Sequence, residues 1–138
     1  MIQSILPGRC RLVALASERN ASCSFIKLQA SREVPFDFAR VYYLYDTTEG
    51  VTRGMHAHRQ LQQFAVAVSG SCKMLLDDGQ RRTTIELNDP TIGLILGPMV
   101  WREMSDFSTD CVLMVVADAP YSEADYIRDY NEFLTALR

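Results

Sequence analysis

The chain has 138 residues, of which 48% are hydrophobic and 22% are charged, and its formal net charge is -3. This length suits one domain over residues 1–138, and the hydrophobic fraction excludes a disordered chain. The mild acidic excess is unlike the clustered Lys and Arg of a nucleic-acid-binding surface, and no apolar run approaches the roughly 20 residues of a membrane-spanning helix. We therefore expect a globular protein that binds neither nucleic acid nor a membrane.

The start of the chain, MIQSILPGRCR, lacks the basic residues, long apolar stretch and small-residue cleavage site of a secretory signal. The cysteines lie far apart and form no C-x-x-C pair. They are Cys10, Cys23, Cys72 and Cys111. Both features favour a cytoplasmic protein with reduced, mostly buried thiols.

Short apolar segments separated by turn residues dominate the chain up to about residue 117 and predict an all-β fold. The predicted strands are 41–45, 64–68, 72–76, 80–87, 92–96 and 112–117. Asp78-Gly79 lies between the third and the fourth strand and predicts a tight hairpin turn. The last two strands are continuous apolar runs, which indicates burial on both faces. Segment 23–28 also has strand character, but no obvious local hairpin partner.

The last segment of the chain has a helical pattern. Pro120 and Ser122, with Asp125 three residues after the serine, resemble the start of a helix. The apolar residues that follow recur at helical spacing. They are Tyr126, Ile127, Tyr130, Phe133, Leu134 and Leu137. We therefore predict a short C-terminal helix that packs one apolar stripe against its own domain.

The chain has two histidines, His56 and His58, separated by one residue. On a strand, residues i and i+2 point to the same face, so the two imidazoles should lie side by side with Ala57 on the opposite face. A single histidine is often a half-buried structural residue. Two histidines flanked by Arg53 and Arg59 indicate function instead, because burying imidazoles near guanidinium groups lowers their pKa and is costly.

The residues around this pair have a spacing that resembles the first sequence motif of the cupins, small double-stranded β-helix (jelly-roll) barrels. These residues are Gly50, His56, His58, Gln63 and Gly70. Gln63 stands where metal-binding cupins usually carry Glu. The stretch that corresponds to the second motif, residues 97–103, contains no histidine, and an arginine has no lone pair for a metal. We expect no metal and no cofactor, although Glu103 would complete a two-histidine, one-carboxylate site if it faced the pocket.

Longer segments resemble one cupin family, the sugar-nucleotide 3,4-ketoisomerases. They are residues 40–46, 53–63, 76–79, 100–108 and 125–130, and the R-G-x-H-A-H and V-W-x-E-M patterns within them are highly specific. The resemblance extends over nearly the whole chain from about Arg11. It implies a cupin barrel that moves the keto group of dTDP-4-keto-6-deoxyglucose from carbon 4 to carbon 3 through an enediol, in deoxyamino-sugar biosynthesis.

The resemblance assigns catalytic roles to four residues. His58 and His56 are the acid/base candidates, with His58 favoured as the group that moves the proton, since an imidazole takes and returns protons near neutral pH. Arg53 and Tyr43 are the nearest donors, by motif, for the developing enediolate charge. Alternation places Tyr43 on the face opposite Tyr42, which leaves open the question of which tyrosine faces inward.

The substrate-binding candidates are Tyr45, Arg59, Gln63, Trp101 and Arg102. Tyr45 shares a face with Tyr43 by alternation. Arg59 or Arg102 suits the diphosphate, which calls for a cationic fork. Gln63 suits the orientation of a histidine or a sugar hydroxyl. Trp101 either lines the pocket and stacks on the thymine base, or packs in the barrel core.

The family resemblance further implies a homodimer in which N-terminal strands exchange between subunits. Two positions depart from the family pattern. Ser22-Cys23 replaces a common Arg-Gly pair, and Arg102 stands where several relatives carry His. The sequence therefore leaves open the configuration of the product at carbon 4.

Three other functions compete with this one. A related keto-sugar epimerase acts on the same substrate, but such epimerases resemble longer cupins and pair one histidine with an aspartate. A noncatalytic cupin would bind a sugar nucleotide or a partner transferase. A metal-dependent cupin oxygenase is the least favoured alternative.

Overall fold

A computed structural model describes residues 6–138. The first residues of the N-terminal segment, in which we expect no secretory signal, lie outside this range. The strands are β1 (Cys10–Ala14), β2 (Ser17–Arg19), β3 (Ser24–Ile26), β4 (Arg40–Leu44), β5 (Arg53–His58), β6 (Gln63–Ser69), β7 (Cys72–Asp77), β8 (Arg82–Leu87), β9 (Ile92–Leu96), β10 (Trp101–Ser105), β11 (Val112–Ala117) and β12 (Tyr126–Ile127). One helix, α1 (Tyr130–Ala136), follows them. Every strand predicted from the sequence is present.

Most of these strands form two five-stranded antiparallel sheets. The first has the order β1-β9-β6-β11-β4 and the second the order β12-β5-β10-β7-β8. Their inner faces share one apolar cluster, in which Leu94 and Leu113 of the first sheet pack with Met74 and Leu76 of the second. This arrangement is the predicted jelly roll. Within residues 6–138, no helix is long and apolar enough to cross a membrane.

The hairpin predicted at Asp78-Gly79 is confirmed. Strands β7 and β8 pair from Cys72↔Leu87 to Asp77↔Arg82. Gly79 has a φ of 92°, a conformation that side chains disfavour, and its N–H donates to Asp77 Oδ1 at 2.7 Å.

The absence of a local partner for segment 23–28 was a wrong prediction. Strands β2 and β3 form a hairpin of their own, with Ser17 opposite Ile26 and Arg19 opposite Ser24. The side chain of Asn20 makes the turn, because its Oδ1 accepts from the backbone N–H groups of Ser22 and Cys23 at 2.8 and 3.0 Å. The prediction of reduced, mostly buried cysteines is confirmed, because the four thiols are free and all but Cys23 are buried.

Strand β5 contains one extra residue relative to β10. Arg102 pairs with His56 and Glu103 pairs with Gly54, which leaves Met55 without a counterpart. Gly54 and Met55 have φ angles of 87° and 60°. A Cβ atom on Gly54 would lie 3.1 Å from the carbonyl oxygen of Arg102, so the bulge needs glycine both for its conformation and for space.

The C-terminal segment forms an α-helix only at its end. Glu123–Asp125 forms one 3₁₀ turn, and β12 then pairs with β5, with Tyr126 opposite His58. Helix α1 begins at Tyr130, after Asp129, whose Oδ1 accepts from Glu132 N–H at 3.0 Å. The predicted short helix is confirmed, but its predicted start near Ser122 is wrong.

Candidate active site

His56 and His58 project from the same face of β5, as alternation predicts. Their ring centroids are 4.9 Å apart, and the rings meet edge to face with an interplanar angle of 85°. Ala57 points the other way and packs in a separate cluster with Trp101, Ile127 and Phe133. The strand thus separates a polar inner face from an apolar outer face.

His56 lines an open cleft of about 620 Å³, which we call the histidine cleft. Its other lining residues are Arg40, Tyr42, Tyr43, Leu44, Thr52, Arg53, Gly54, Met104, Tyr126 and Arg128. Three of the side chains are arginines, so the cleft is cationic. It suits an anionic ligand that presents a polar group to His56.

Arg102 lies beneath the cleft and is 4% exposed. Its Nη1 donates to Gln63 Oε1, and its Nε donates to the carbonyl oxygen of Val100 at 3.1 Å. Gln63 Nε2 in turn donates to the hydroxyl oxygen of Tyr42 at 3.2 Å. The amide of Gln63 therefore orients an arginine and a tyrosine, whereas the sequence suggested a histidine or a sugar hydroxyl.

The two imidazoles have lowered pKa values. Burial and then the positive charge of Arg102 lower the pKa of His56 to about 4. The same two causes, in the same order, lower the pKa of His58 to about 2. Both rings are therefore neutral near pH 7, and each keeps one nitrogen lone pair that can accept a proton or a hydrogen bond.

His58 is 1% exposed and pairs with a carboxylate that the sequence did not assign to the site. Its Nδ1 lies 3.1 Å from Asp125 Oδ2. Asp125 also accepts from the backbone N–H groups of Gln60 and Leu61, at 2.8 and 3.3 Å. The segment 125–130 was noted for its resemblance, but Asp125 was interpreted as a helix-start acid. No local pattern indicates a contact across 67 positions of the chain.

Tyr126 covers the histidine pair. Its ring centroid lies 4.9 Å from that of His56 and 4.4 Å from that of His58. It lines both the histidine cleft and a smaller cavity of about 280 Å³, whose lining also includes His58, Asp125 and Arg40. The C-terminal segment therefore forms one wall of the site.

Tyr42 and Tyr43 of β4 and Tyr45, which directly follows the strand, divide between two faces, as alternation predicts. Tyr43 and Tyr45 are 62% and 67% exposed, and their rings lie 6.1 Å apart. Tyr43 reaches the rim of the histidine cleft, while Tyr45 is not among the lining residues. Tyr42 is the tyrosine that faces inward, and burial raises the pKa of its hydroxyl.

Two of the predicted binding residues lie away from the cleft. Arg59 is exposed and lies beside helix α1, in a depression lined by Asn131 and Glu132. Trp101 is 3% exposed, and its ring packs on the outer face, 5.9 Å from that of Phe133. Trp101 therefore packs in an apolar cluster and does not line the histidine cleft.

Glu103 shares the outer face with Trp101, since its Oε2 accepts from Trp101 Nε1 at 2.9 Å. It does not complete a metal site with the histidines. Within residues 6–138, no three His, Cys, Asp or Glu side chains are grouped so that they would hold a metal ion.

Two arginines of the cleft were missed by sequence reasoning. The guanidinium of Arg128 stacks on Tyr126 at 4.1 Å and binds Glu123 through two hydrogen bonds of 2.8 and 2.9 Å. Arg40 lies over the ring of Tyr42 at 5.5 Å. They come from β4 and the C-terminal segment, which only the folded chain brings together.

The jelly roll, with His56 lining a cationic cleft and His58 buried next to it, defines a cupin whose inner face carries polar groups suited to proton transfer. The chain belongs to the FdtA family, described as "WxcM-like, C-terminal", whose model matches residues 8–138.

Several proteins that are similar in sequence to this chain are named as ketoisomerases or oxoisomerases. The chain is 47% identical over 110 residues to TDP-4-oxo-6-deoxy-alpha-D-glucose-3,4-oxoisomerase of Aneurinibacillus thermoaerophilus, which covers 80% of this chain and 79% of that protein. It is similar to the 3,4-ketoisomerase QdtA of Thermoanaerobacterium thermosaccharolyticum, with 36% identity, a TM-score of 0.92 and 96% of each chain covered. That structure is of a histidine-to-asparagine mutant in complex with TDP-4-keto-6-deoxyglucose.

A third relative is the TDP-quinovose 3,4-ketoisomerase WlaRB of Campylobacter jejuni. It is 43% identical, with a TM-score of 0.90, and the match covers 94% of this chain and 99% of that one.

Proposed function

We propose that this protein is a sugar-nucleotide 3,4-ketoisomerase that converts dTDP-4-keto-6-deoxyglucose into the 3-keto isomer. The names of its relatives support the reaction and the substrate. The observation that carries the proposal is the cleft that His56 and Tyr42 line together with three arginines.

The chemistry requires only proton transfers. The ketone at carbon 4 acidifies the hydrogen on carbon 3, and His56 takes that proton through its lone pair. The electron pair of the broken bond forms the carbon 3–carbon 4 double bond, and oxygen 4 becomes an enediolate oxygen. Oxygen 4 then takes the proton that the carbon 3 hydroxyl releases and becomes a hydroxyl, the carbon 3 oxygen becomes the ketone oxygen, and the protonated imidazole of His56 delivers a proton to carbon 4. General acid–base catalysis of this kind contributes typically about 10²–10⁴ in rate.

Tyr42 is the donor that suits the enediolate best. Its hydroxyl oxygen accepts from Gln63 Nε2, which leaves its own hydrogen to be donated. Arg102, buried behind His56, adds positive charge where negative charge develops. Tyr43 and Arg53, the donors favoured by the sequence, lie at the cleft wall and serve as secondary candidates.

His56 is the better candidate for the proton-transferring group, although the sequence favoured His58. His56 lines the histidine cleft, whereas His58 is 1% exposed and is held by Asp125. His58 instead supports His56 through the edge-to-face contact of the rings. Replacing His56 with Asn should abolish turnover, and replacing His58 with Asn should lower it, both with TDP binding within a few-fold of wild type.

The decisive experiment follows the substrate in deuterated water. Protein incubated with dTDP-4-keto-6-deoxyglucose should move the carbonyl carbon signal from carbon 4 to carbon 3 and place deuterium at carbon 4 in NMR spectra. Deuterium at carbon 5 would instead support an epimerase, which the His58–Asp125 pair makes the second candidate. No change in the sugar, with TDP still bound, would leave a noncatalytic binding protein.

Arg53 and Arg40 are the candidates for binding the diphosphate, because both line the cleft. Arg59 offers a matched control, since it directly follows the last residue of β5 and lies beside α1. Arg53→Ala should weaken TDP binding about 10- to 100-fold by calorimetry, because hydrogen bonds to charged groups contribute about 1.5–3 kcal/mol. Arg59→Ala should change it less than 2-fold. Equal effects of the two substitutions would refute this placement.

The apolar surface beside the β2–β3 hairpin is the candidate dimer interface. Phe25 and Val68 are each 44% exposed and line a groove of about 550 Å³ together with Ile26 and Met114. A homodimer that covers this groove is the expected assembly. Because β1 pairs with β9 of its own chain, from Cys10↔Leu96 to Ala14↔Ile92, an exchange of N-terminal strands would transfer this pairing to the partner subunit. Light scattering should give twice the chain mass, and Phe25→Asp should give the single-chain mass. A single-chain mass for the wild type would overturn this assembly.

A further inference from the structure

Asp125 is a polar residue of the site whose role the proton transfers proposed above do not explain. Its side chain receives three hydrogen bonds, from His58 Nδ1, Gln60 N–H and Leu61 N–H. Its backbone carbonyl also accepts from Arg59 N–H at 2.9 Å. The carboxylate therefore joins the C-terminal segment to the residues that directly follow the histidine pair.

The pairing fixes which nitrogen of His58 carries the proton. A carboxylate can only accept hydrogen bonds, so Nδ1 must be the donor. The ring is neutral, hence its lone pair is on Nε2. Within residues 6–138, this Nε2 is buried and has no hydrogen-bond partner. A buried acceptor without a partner is costly, which argues against a purely structural histidine at this position.

We propose that Asp125 is a positioning residue that holds His58 in the Nδ1–H tautomer, so that its Nε2 lone pair lies within the site beside His56. Asp125 binds the same His58 ring that contacts the ring of His56, at a distance of 4.9 Å between the two ring centroids. The proposal rests on the proposed function for its effect on turnover, but the tautomer itself does not depend on a substrate.

Nitrogen-15 NMR tests the tautomer directly. The chain has two histidines, so correlation spectra of uniformly labelled protein contain two imidazole patterns, and the His56→Asn variant assigns them. Wild-type His58 should show a protonated Nδ1 and an unprotonated Nε2. In Asp125→Asn the amide presents a donor in place of a carboxylate oxygen, so His58 should shift towards the Nε2–H tautomer. Turnover (kcat) should fall about 10- to 100-fold with KM within 3-fold, since the wrong tautomer disables an otherwise intact site.

Asp129→Asn is the matched control. It makes the same chemical change in the same C-terminal segment, but Asp129 caps helix α1 and asparagine caps equally well. This variant should leave the tautomer and kcat unchanged. An Nε2–H tautomer in wild-type His58, or an Asp125→Asn variant with a shifted tautomer and undiminished kcat, would overturn the proposal. Absence of isomerisation by the wild type would refute the proposed function alone, because the tautomer spectrum is read without substrate.

Discussion

The two faces of strands β5 and β10 carry side chains of opposite polarity. The inner face carries His56, His58 and Arg102, and within residues 6–138 both His58 Nε2 and Arg102 Nη2 are buried without a partner. The outer face carries Ala57 and Trp101, which form an apolar cluster with residues of the C-terminal segment. The same two strands thus bear a costly polar site on one side and a conventional core on the other.

This difference shows how the molecule tolerates its site. Burying imidazoles and a guanidinium with incomplete hydrogen bonding opposes folding. Burying Phe133 and Ile127, which are 0% and 1% exposed, favours it at the same place in the chain. The C-terminal segment serves both faces, since Asp125 and Tyr126 contact the histidines while Ile127 and Phe133 pack outside.

The largest effect is expected from removing the outer core. Phe133→Ala should lower the free energy of unfolding by about 3–5 kcal/mol, as large-to-small substitutions in cores do, measured by urea denaturation. Asn131→Ala, on the exposed side of the same helix, should change it by less than about 0.5 kcal/mol. A small effect of Phe133→Ala would mean that the outer face contributes little stability and would break the comparison.

The free energy of unfolding should fall at acid pH because of the histidines on the inner face. The folded-state pKa values of His56 and His58 are about 4 and about 2, below the ordinary value of 6.5. Between about pH 6.5 and pH 4 the unfolded chain therefore binds protons that the folded chain excludes, and stability is lost as pH falls. Each histidine should contribute up to about 1.4 kcal/mol per pH unit in this range.

Urea denaturation at pH 7, 6 and 5 measures this slope. Carboxylates add an acid sensitivity of their own, so the control is the double variant His56→Gln/His58→Gln, which should show a shallower slope than wild type. Equal slopes for the two proteins would show that the histidines are not buried in neutral form.

The smallest effect sharpens the position of Trp101. Trp101→Phe keeps an aromatic ring in the outer cluster and loses the hydrogen bond to Glu103, so stability should fall by about 1 kcal/mol. The kcat and KM should stay within 2-fold, because the ring does not line the histidine cleft. A rise of KM by 10-fold or more would instead restore the sequence-based idea that this tryptophan contacts the nucleotide.

Periodicity explains what the sequence predicted well. Alternation along a strand placed His56 beside His58 and Tyr43 beside Tyr45, and both pairs are found together in the structure. The hairpin at Gly79 followed from its turn chemistry. Such features depend on neighbours within a few residues, where the backbone geometry is fixed by simple rules.

The errors arose where distant segments meet. Tyr126 and Ile127 fit a helical stripe, but Asp125 is bound to His58 and Gln60, and the segment is held extended against β5. Tertiary hydrogen bonds therefore override the local helical preference. For the same reason, motifs indicated only Arg53 among the three arginines of the cleft, since Arg40 and Arg128 come from distant segments that line one cleft only in the folded chain.

The unpaired Met55 determines which side chains of β5 point to the same face. In a regular strand, residues three apart face opposite sides, so Arg53 and His56 would not line one cleft. The additional residue at the bulge reverses the parity, and both side chains border the same opening. The count of residues between this arginine and the first histidine is thus itself a chemical constraint: a deletion of one residue there would separate the cation from the base without changing either side chain.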